Sequence, residues 1–212
     1  MTAKLATCSH NGAVFYGAVK DTGVVDLSAA FPQWPDLLSV VKAGALESVL
    51  AAAEGKDVSH ANGSFRYEIP LQGPEKIVCV GVNFPDRNAE YKDGKDAPDN
   101  MSLFVRFPRS FTGNDRPLIR PKVSDKLDYE GEIAIVIGTG GRHIPETDAY
   151  DHIAAITLCN EGTLRDWVRH AKFNVTQGKN FDRSGAMGPW LVPFTDRSQL
   201  EDVRLVTRVN GE

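Results

Sequence analysis

Two glutamates, Glu130 and Glu132, directly precede an apolar run that extends from Ile133 to Ile137 and ends at a glycine. The run alternates isoleucine with alanine and valine, which predicts a β-strand buried on both faces. Side chains at i and i+2 of a strand leave the same face, roughly 7 Å apart at a rise of about 3.3 Å per residue. Because like charges are rarely buried without compensation, the pair indicates a site for a hard divalent cation such as Mg²⁺. The alternative is an edge strand whose two carboxylates face water.

Composition and charge exclude several classes of protein. The chain has 212 residues, 42% hydrophobic and 25% charged, which is typical of a globular protein. A formal net charge of −4 provides no basic field for a phosphate backbone, so we do not expect nucleic-acid binding. No apolar run reaches membrane-spanning length and no signal peptide is evident, which predicts a cytoplasmic protein without membrane contact. Cys8, Cys79 and Cys159 are odd in number and far apart, which favours reduced thiols.

The pattern of turns divides the chain into two predicted domains, residues 1–70 and residues 71–212. In the first, turn residues separate three short strands, Leu5–Thr7, Val14–Ala18 and Val24–Leu27. Apolar residues at helical spacing then predict a helix over Pro35–Ala53, which Gly44 weakens in its middle. This first domain contains no residues in a chemically suggestive pattern.

The second domain is predicted to carry the chemistry. Strands are expected at Lys76–Gly81 and Ser102–Arg106, besides the strand that follows the two glutamates. A helix is expected over Leu164–Phe173, and a final strand over Val203–Val209. The Asn210-Gly211 pair after this strand predicts a hairpin turn.

Five motifs of the second domain occur in an order and spacing that resemble the fumarylacetoacetate hydrolase family, over nearly all of residues 74–212. They are Lys76-Ile-Val-Cys-Val-Gly-Val-Asn-Phe, Leu103-Phe-Val-Arg, Asp128-Tyr-Glu-Gly-Glu-Ile-Ala-Ile-Val-Ile-Gly, Asn160-Glu-Gly-Thr-Leu-Arg-Asp-Trp, and Gly178-Lys-Asn-Phe-Asp followed by Gly188-Pro. The resemblance implies a β-rich α+β fold, in which a distorted β-roll catalytic domain follows a small N-terminal α+β domain. It also implies a homodimer. Within the family, the chain is most similar to the bacterial 2-hydroxyhepta-2,4-diene-1,7-dioate isomerases and fumarylpyruvate hydrolases.

The resemblance implies a Mg²⁺ or Mn²⁺ site. Its ligands would be Glu130, Glu132 and Glu161, the last at a position where the family motif usually has aspartate. Lys179 matches the family lysine near the metal and is the first predicted catalytic residue. The alternative for Lys179 is an ordinary solvated lysine in a polar loop.

A second catalytic residue, Glu90, matches the glutamate of a His-x-x-Glu pair that activates water in many members. The histidine position is Arg87, whose guanidinium stays protonated and cannot act as an ordinary general base. The water-activating pair is therefore absent in its usual form. Arg165 and Asp166 also match the family motif, and we interpret them as a helix-anchoring ion pair or cap.

Four residues are predicted to contact the substrate. Arg106 could bind a carboxylate through its bidentate fork or pair with a surface acid. The full set of substrate-binding candidates is Arg106, Arg87, Asn83 and Asp182.

The predicted activity is isomerisation of a 2-oxo or 2-hydroxy-dienoate dicarboxylic acid of aromatic catabolism, through a metal-stabilised enolate. The example is 2-hydroxyhepta-2,4-diene-1,7-dioate. One alternative is hydrolysis of a carbon–carbon bond in an acylpyruvate such as fumarylpyruvate or fumarylacetoacetate. Another is an inactive family member that serves as a binding or assembly module. Because family members continue beyond the Asn-Gly turn, we also expect the catalytic domain to be incomplete at its C-terminal end.

Overall fold

The computed structural model describes residues 3–83, 100–171 and 174–212. Its strands are short, and its α-helices are few, which agrees with the predicted β-rich class. The strands are β1 Leu5–His10, β2 Ala13–Lys20, β3 Gly23–Asp26, β4 His60–Ala61, β5 Arg66–Tyr67, β6 Val78–Gly81, β7 Ser102–Val105, β8 Phe111–Thr112, β9 Leu127–Asp128, β10 Gly131–Ile137, β11 Ile153–Asn160, β12 Thr163–Leu164 and β13 Gly185–Pro193. The α-helices are α1 Leu37–Lys42, α2 Leu46–Ala51 and α3 Thr176–Lys179. Within the described ranges no helix has the length and apolar character needed to cross a membrane.

The first strands follow the predicted turns. Asn11 and Gly12 have φ of 49° and 83°, which suits a tight hairpin turn. The turn sets a register in which His10 pairs with Ala13 and Leu5 pairs with Ala18. The three predicted strands of this region are therefore confirmed.

The predicted helix over Pro35–Ala53 is divided into α1 and α2. Asp36 and Ser39 form a reciprocal capping box that begins α1. Gly44 has φ of +65°, a left-handed conformation that ends the first helix. The prediction of one continuous helix was wrong because Gly44 acts as a stop rather than as a weak interior residue.

One large sheet connects the beginning and the end of the chain. Nine strands belong to it, and its main order is β10-β11-β13-β1-β2-β3-β4, with β5 paired to β1 and β8 to β13. The contact between β1 and β13 pairs Leu5 with Leu191. The helices cover this sheet, and Leu37, Val40 and Val49 pack in one core with Leu5 and Leu191. The sheet contains strands from both sides of residue 70. The division of the chain into two domains at that residue stays a prediction.

Strand β10 is the one that follows the two glutamates. It is the terminal strand in the sheet order of the described residues, with β11 beside it. Val136 packs against the core, whereas Ile135 and Ile137 are 49% and 60% exposed. The prediction that both faces are buried was wrong, because an apolar run of this length does not reveal whether both faces have a covering layer.

Two further predictions for the second domain were also wrong. A single 3-10 turn at Trp167–Arg169 stands in place of the predicted helix over Leu164–Phe173, whose last two residues lie outside the described ranges. The predicted strand over Val203–Val209 is irregular; it passes so close to Gly131 that a Cβ there would lie closer than 3.0 Å to Thr207. The chain does turn at Asn210 and Gly211, because Val209 and Glu212 exchange backbone hydrogen bonds of 3.0 and 3.1 Å, but no strand flanks this turn in the described residues.

Candidate active site

Three carboxylates converge at the point where β10 begins and β11 ends. Glu132 lies in β10, Glu130 directly precedes it, and Glu161 directly follows β11. The two strands are fixed at this point, because the Glu130 N–H donates to Asn160 Oδ1 at 3.1 Å and the Glu161 N–H donates to the Glu130 carbonyl at 2.7 Å. One carboxylate oxygen from each glutamate lies within 4.8 Å of the other two. Antiparallel pairing thus adds Glu161 to the pair predicted from the i, i+2 spacing.

Glu161 is the buried member of this group, with 5% of its surface exposed. Burial raises the pKa of its carboxyl, and the nearby Lys179 ammonium opposes that rise. Its Oε1 is buried, and the charged groups beside it are the Lys179 ammonium at 2.8 Å and the Arg106 guanidinium at 3.8 Å. Three convergent carboxylate oxygens are the hard oxygen ligands that Mg²⁺ and Mn²⁺ prefer. The residues therefore fit a divalent cation.

Lys179 lies beside the three carboxylates, at the end of α3. It is 6% exposed, and its Nζ lies 2.5 Å from Glu130 Oε2 and 2.8 Å from Glu161 Oε1. The ammonium also lies 4.9 Å from the centre of the Phe104 ring, within cation–π range. The structure thus brings Lys179 together with the carboxylates and does not place it in a solvated loop.

Asn180 anchors the backbone next to Lys179. Its side-chain amide donates to the Val105 carbonyl at 3.1 Å and its Oδ1 accepts from the Phe107 N–H at 2.7 Å. These bonds tie the end of α3 to the segment after β7. Their effect is to hold the lysine side chain at a fixed distance from the cluster.

Arg165 is a site residue whose role the sequence did not reveal. Its Nη1 lies 2.7 Å from Glu130 Oε1 and its Nε lies 2.8 Å from Asp128 Oδ2. Pairing of β9 with β12 places these residues side by side. Asp166 instead accepts from Ser124 Oγ and caps the 3-10 turn, which confirms its interpretation as a cap.

The remaining predicted site residues are spread over several places. Arg106 is buried, and its guanidinium contacts protein groups. Asp182 pairs with Arg109 at 3.7 Å and Arg183 at 3.3 Å, and it lines a separate cavity of about 530 Å³. Asn83 is exposed. Arg87 and Glu90 lie outside the described residues, so their predicted roles, like those of the other site residues, stay predictions.

Comparisons with known proteins find one family and several relatives to which the chain is similar. The family described as fumarylacetoacetate (FAA) hydrolase, C-terminal, matches residues 76–212. Oxaloacetate tautomerase YisK of Bacillus subtilis is 34% identical over 99% of the chain and 76% of its own length. The human mitochondrial oxaloacetate tautomerase FAHD2A is 32% identical over 90% of the chain and 61% of its own length. The chain thus spans less than two thirds of the human relative.

Two solved structures share the fold. Fumarylacetoacetate hydrolase from Exiguobacterium antarcticum superposes with a TM-score of 0.70 and 28% identity, covering 91% of this chain and 67% of that one. A probable 2-hydroxyhepta-2,4-diene-1,7-dioate isomerase from Mycobacterium abscessus gives a TM-score of 0.67 and 25% identity, covering 91% of this chain and 64% of that one.

Proposed function

Because the chain belongs to the fumarylacetoacetate hydrolase family, we propose that it is a divalent-cation-dependent enzyme that moves a proton within a small 2-oxo dicarboxylic acid. The reaction we favour is the keto–enol tautomerisation of oxaloacetate. The observation that carries this proposal is the convergence of three carboxylates within 4.8 Å, with a buried lysine beside them. Tautomerisation is preferred over the isomerisation of a dienoate because two relatives named for it are 34% and 32% identical to this chain, against 25% for the structure described as a dienoate isomerase.

The three glutamates would hold the cation through one oxygen each. When bound, the cation would supply Lewis acidity to a 2-oxo acid and stabilise negative charge on its keto oxygen. Lys179 would add a second positive charge close to the same oxygen, in a site where burial strengthens electrostatic interactions. Arg165 would keep Glu130 in place, because its Nη1 lies 2.7 Å from Glu130 Oε1.

Tautomerisation requires a proton to leave carbon 3 and a proton to arrive at the keto oxygen, without water as a reactant. A single carboxylate can carry out this transfer, and Glu90 stays the predicted residue. Arg87 stays a predicted contact for the substrate carboxylates, whereas the buried guanidinium of Arg106 already bonds Ser110, Gly162 and Ser184. The absence of histidine from the Arg87 position of the sequence favours proton transfer over hydrolysis, because hydrolysis needs an activated water. Assembly as a homodimer also stays a prediction.

A second candidate is the isomerisation of 2-hydroxyhepta-2,4-diene-1,7-dioate, favoured by the 25% identical structure of that description. It uses the same proton transfer over a longer conjugated chain. The dienol would have to fit the same cation site, so the two candidates differ only in the substrate.

The proposal is tested with three substrates in parallel, oxaloacetate, the heptadienedioate and fumarylpyruvate, each with Mg²⁺ or Mn²⁺. We expect faster loss of the oxaloacetate enol absorbance without release of pyruvate, and loss of this activity in Glu132→Gln. Release of pyruvate from fumarylpyruvate would instead favour the hydrolase. Cation binding without turnover of any substrate would favour the inactive binding module.

A further inference from the structure

Arg106 is among the largest side chains that are fully buried in the described chain, with 2% of its surface exposed. It directly follows β7, and its backbone N–H donates to the Ile77 carbonyl at 3.0 Å. The guanidinium lies 4.3 Å from the centre of the Phe111 ring. Burying a cation is costly unless it is hydrogen-bonded and paired. The partners of Arg106 therefore indicate its role.

The guanidinium connects three segments through four hydrogen bonds. Nε donates to Ser110 Oγ at 3.1 Å, and Nη2 donates to the Ser110 carbonyl at 3.3 Å. Nη2 also donates to Ser184 Oγ at 3.1 Å, and Nη1 donates to the Gly162 carbonyl at 3.2 Å. Gly162 is the residue after Glu161, so one of these bonds acts on the backbone that carries a proposed metal ligand.

The segments joined by Arg106 approach each other too closely for side chains. A Cβ on Gly162 would lie closer than 3.0 Å to the Ser184 carbonyl oxygen. A Cβ on Gly185 would lie 2.6 Å from the Asn160 carbonyl oxygen and 3.1 Å from Arg106 Nη2. Glycine at both positions lets the segment of Ser184 and Gly185 pack directly against the backbone around Glu161, and Gly185 also leaves room for the guanidinium.

The charge of Arg106 acts on the same carboxylate. Its Nη1 lies 3.8 Å from Glu161 Oε1, on the buried side of the cluster. Lys179 is shared between Glu130 and Glu161. Arg106 therefore contributes both a fixed backbone and a fixed charge at Glu161.

We propose that Arg106 is a positioning residue that fixes Glu161 in the orientation required to bind the divalent cation. The proposal rests on the proposed metal-dependent function. It gives Arg106 a role in placing a metal ligand and not in contacting the substrate. Glu161 has one more rotatable bond than an aspartate, so its orientation depends more strongly on a rigid neighbour. A planar fork can bond these four acceptors in fixed directions, which a lysine ammonium cannot reproduce.

The test compares Mn²⁺ dissociation constants, measured by electron paramagnetic resonance titration, for the wild-type chain and its Arg106→Lys variant. This variant keeps the charge and loses the fork, so we expect the dissociation constant to rise by about 10- to 100-fold, as for other residues that support metal ligands. Ser184→Ala removes a single hydrogen bond and should cause a smaller rise in the same direction. Arg116→Lys is the matched control, because it makes the same substitution at a partly buried arginine that pairs with Glu68.

Melting temperatures without metal separate positioning from folding. Weaker Mn²⁺ binding by Arg106→Lys, with an unchanged constant for the control at a similar melting temperature, would support the proposal. An unchanged dissociation constant in Arg106→Lys would overturn it, whatever happens to stability. Absence of Mn²⁺ binding by the wild-type chain would overturn both the proposal and the proposed function. Failure of the function alone would appear as binding by the wild type without turnover.

Discussion

Replacing Lys179 by methionine removes the buried ammonium between two carboxylates and keeps most of the apolar stem. Removing one partner of a buried ion pair costs about 3–5 kcal/mol, because the remaining charge is left uncompensated. Glu130 keeps Arg165 at 2.7 Å, and Glu161 keeps Arg106 at 3.8 Å. We therefore expect the lower end of that range, a loss of about 3 kcal/mol in the free energy of unfolding without metal.

Thermal unfolding followed by circular dichroism measures this loss. At about 2–4 °C per kcal/mol for a chain of this size, the melting temperature of Lys179→Met should fall by roughly 6–12 °C in the presence of a chelator. Mg²⁺ or Mn²⁺ should then raise the melting temperature of the variant more than that of the wild type. The reason is that Lys179 Nζ lies within 2.8 Å of two proposed ligand oxygens and competes with the cation for them.

The matched control is Lys126→Met, since Lys126 is 61% exposed and pairs with Asp125 at 3.3 Å. An exposed pair of this kind contributes less than about 1 kcal/mol, so the melting temperature of the control should hardly change.

Activity of Lys179→Met should fall by about 10²–10³-fold, the loss seen when one preorganised donor to a developing oxyanion is removed. The reasoning would be refuted if Lys179→Met had the melting temperature of the wild type. It would also be refuted if the cation raised the melting temperature of the variant less than that of the wild type.

Three further predictions concern the scaffold. Gly162→Ala should destabilise the protein and weaken Mn²⁺ binding in the titration described above, because its Cβ would lie closer than 3.0 Å to the Ser184 carbonyl oxygen. Asp36→Ala should cost about 0.5–2 kcal/mol in urea unfolding, because it removes the cap that receives the Ser39 N–H. Burial raises the pKa of the Cys8 thiol to about 12, so native protein should resist alkylation at this residue at pH 8, as measured by mass spectrometry. Because the folded chain retains this proton, stability should decrease as the pH rises from 9 towards 12.

The glycine and aspartate predictions have matched controls. Gly140→Ala introduces a Cβ with nothing within 4 Å, and equal effects of the two glycine substitutions would contradict the proposed close approach. Asp57→Ala changes an exposed aspartate and should stay within about 0.5 kcal/mol of wild type. Rapid alkylation of Cys8 in the native state would contradict its burial.

The sequence predicted the first part of the site from simple geometry. Period-two alternation after Glu130 and Glu132 was enough to place both carboxylates on one side of a strand end. Glu161 and Lys179 followed only from the family resemblance, since 29 to 49 residues separate them along the chain from Glu130 and Glu132. Glu161 reaches these two glutamates through the pairing of β10 with β11. No local pattern contains that pairing.

The errors have definite physical causes. Gly44 divides a helix because its backbone adopts a left-handed conformation, which residue spacing alone does not reveal. Ile135 and Ile137 resemble core residues, but β10 ends the sheet order of the described chain and leaves them exposed. Arg165 reaches Glu130 through the pairing of two-residue strands β9 and β12, which are too short to leave a recognisable pattern.

The most direct test of the proposed enzyme is the rate of oxaloacetate enol-to-keto conversion before and after removal of divalent cations. We predict that a chelator abolishes the activity of the wild type, that Mg²⁺ or Mn²⁺ restores it, and that neither cation restores it in Glu132→Gln. A catalytic role for the three-glutamate site would be contradicted if the chelated wild type and Glu132→Gln both converted oxaloacetate as fast as the cation-loaded wild type.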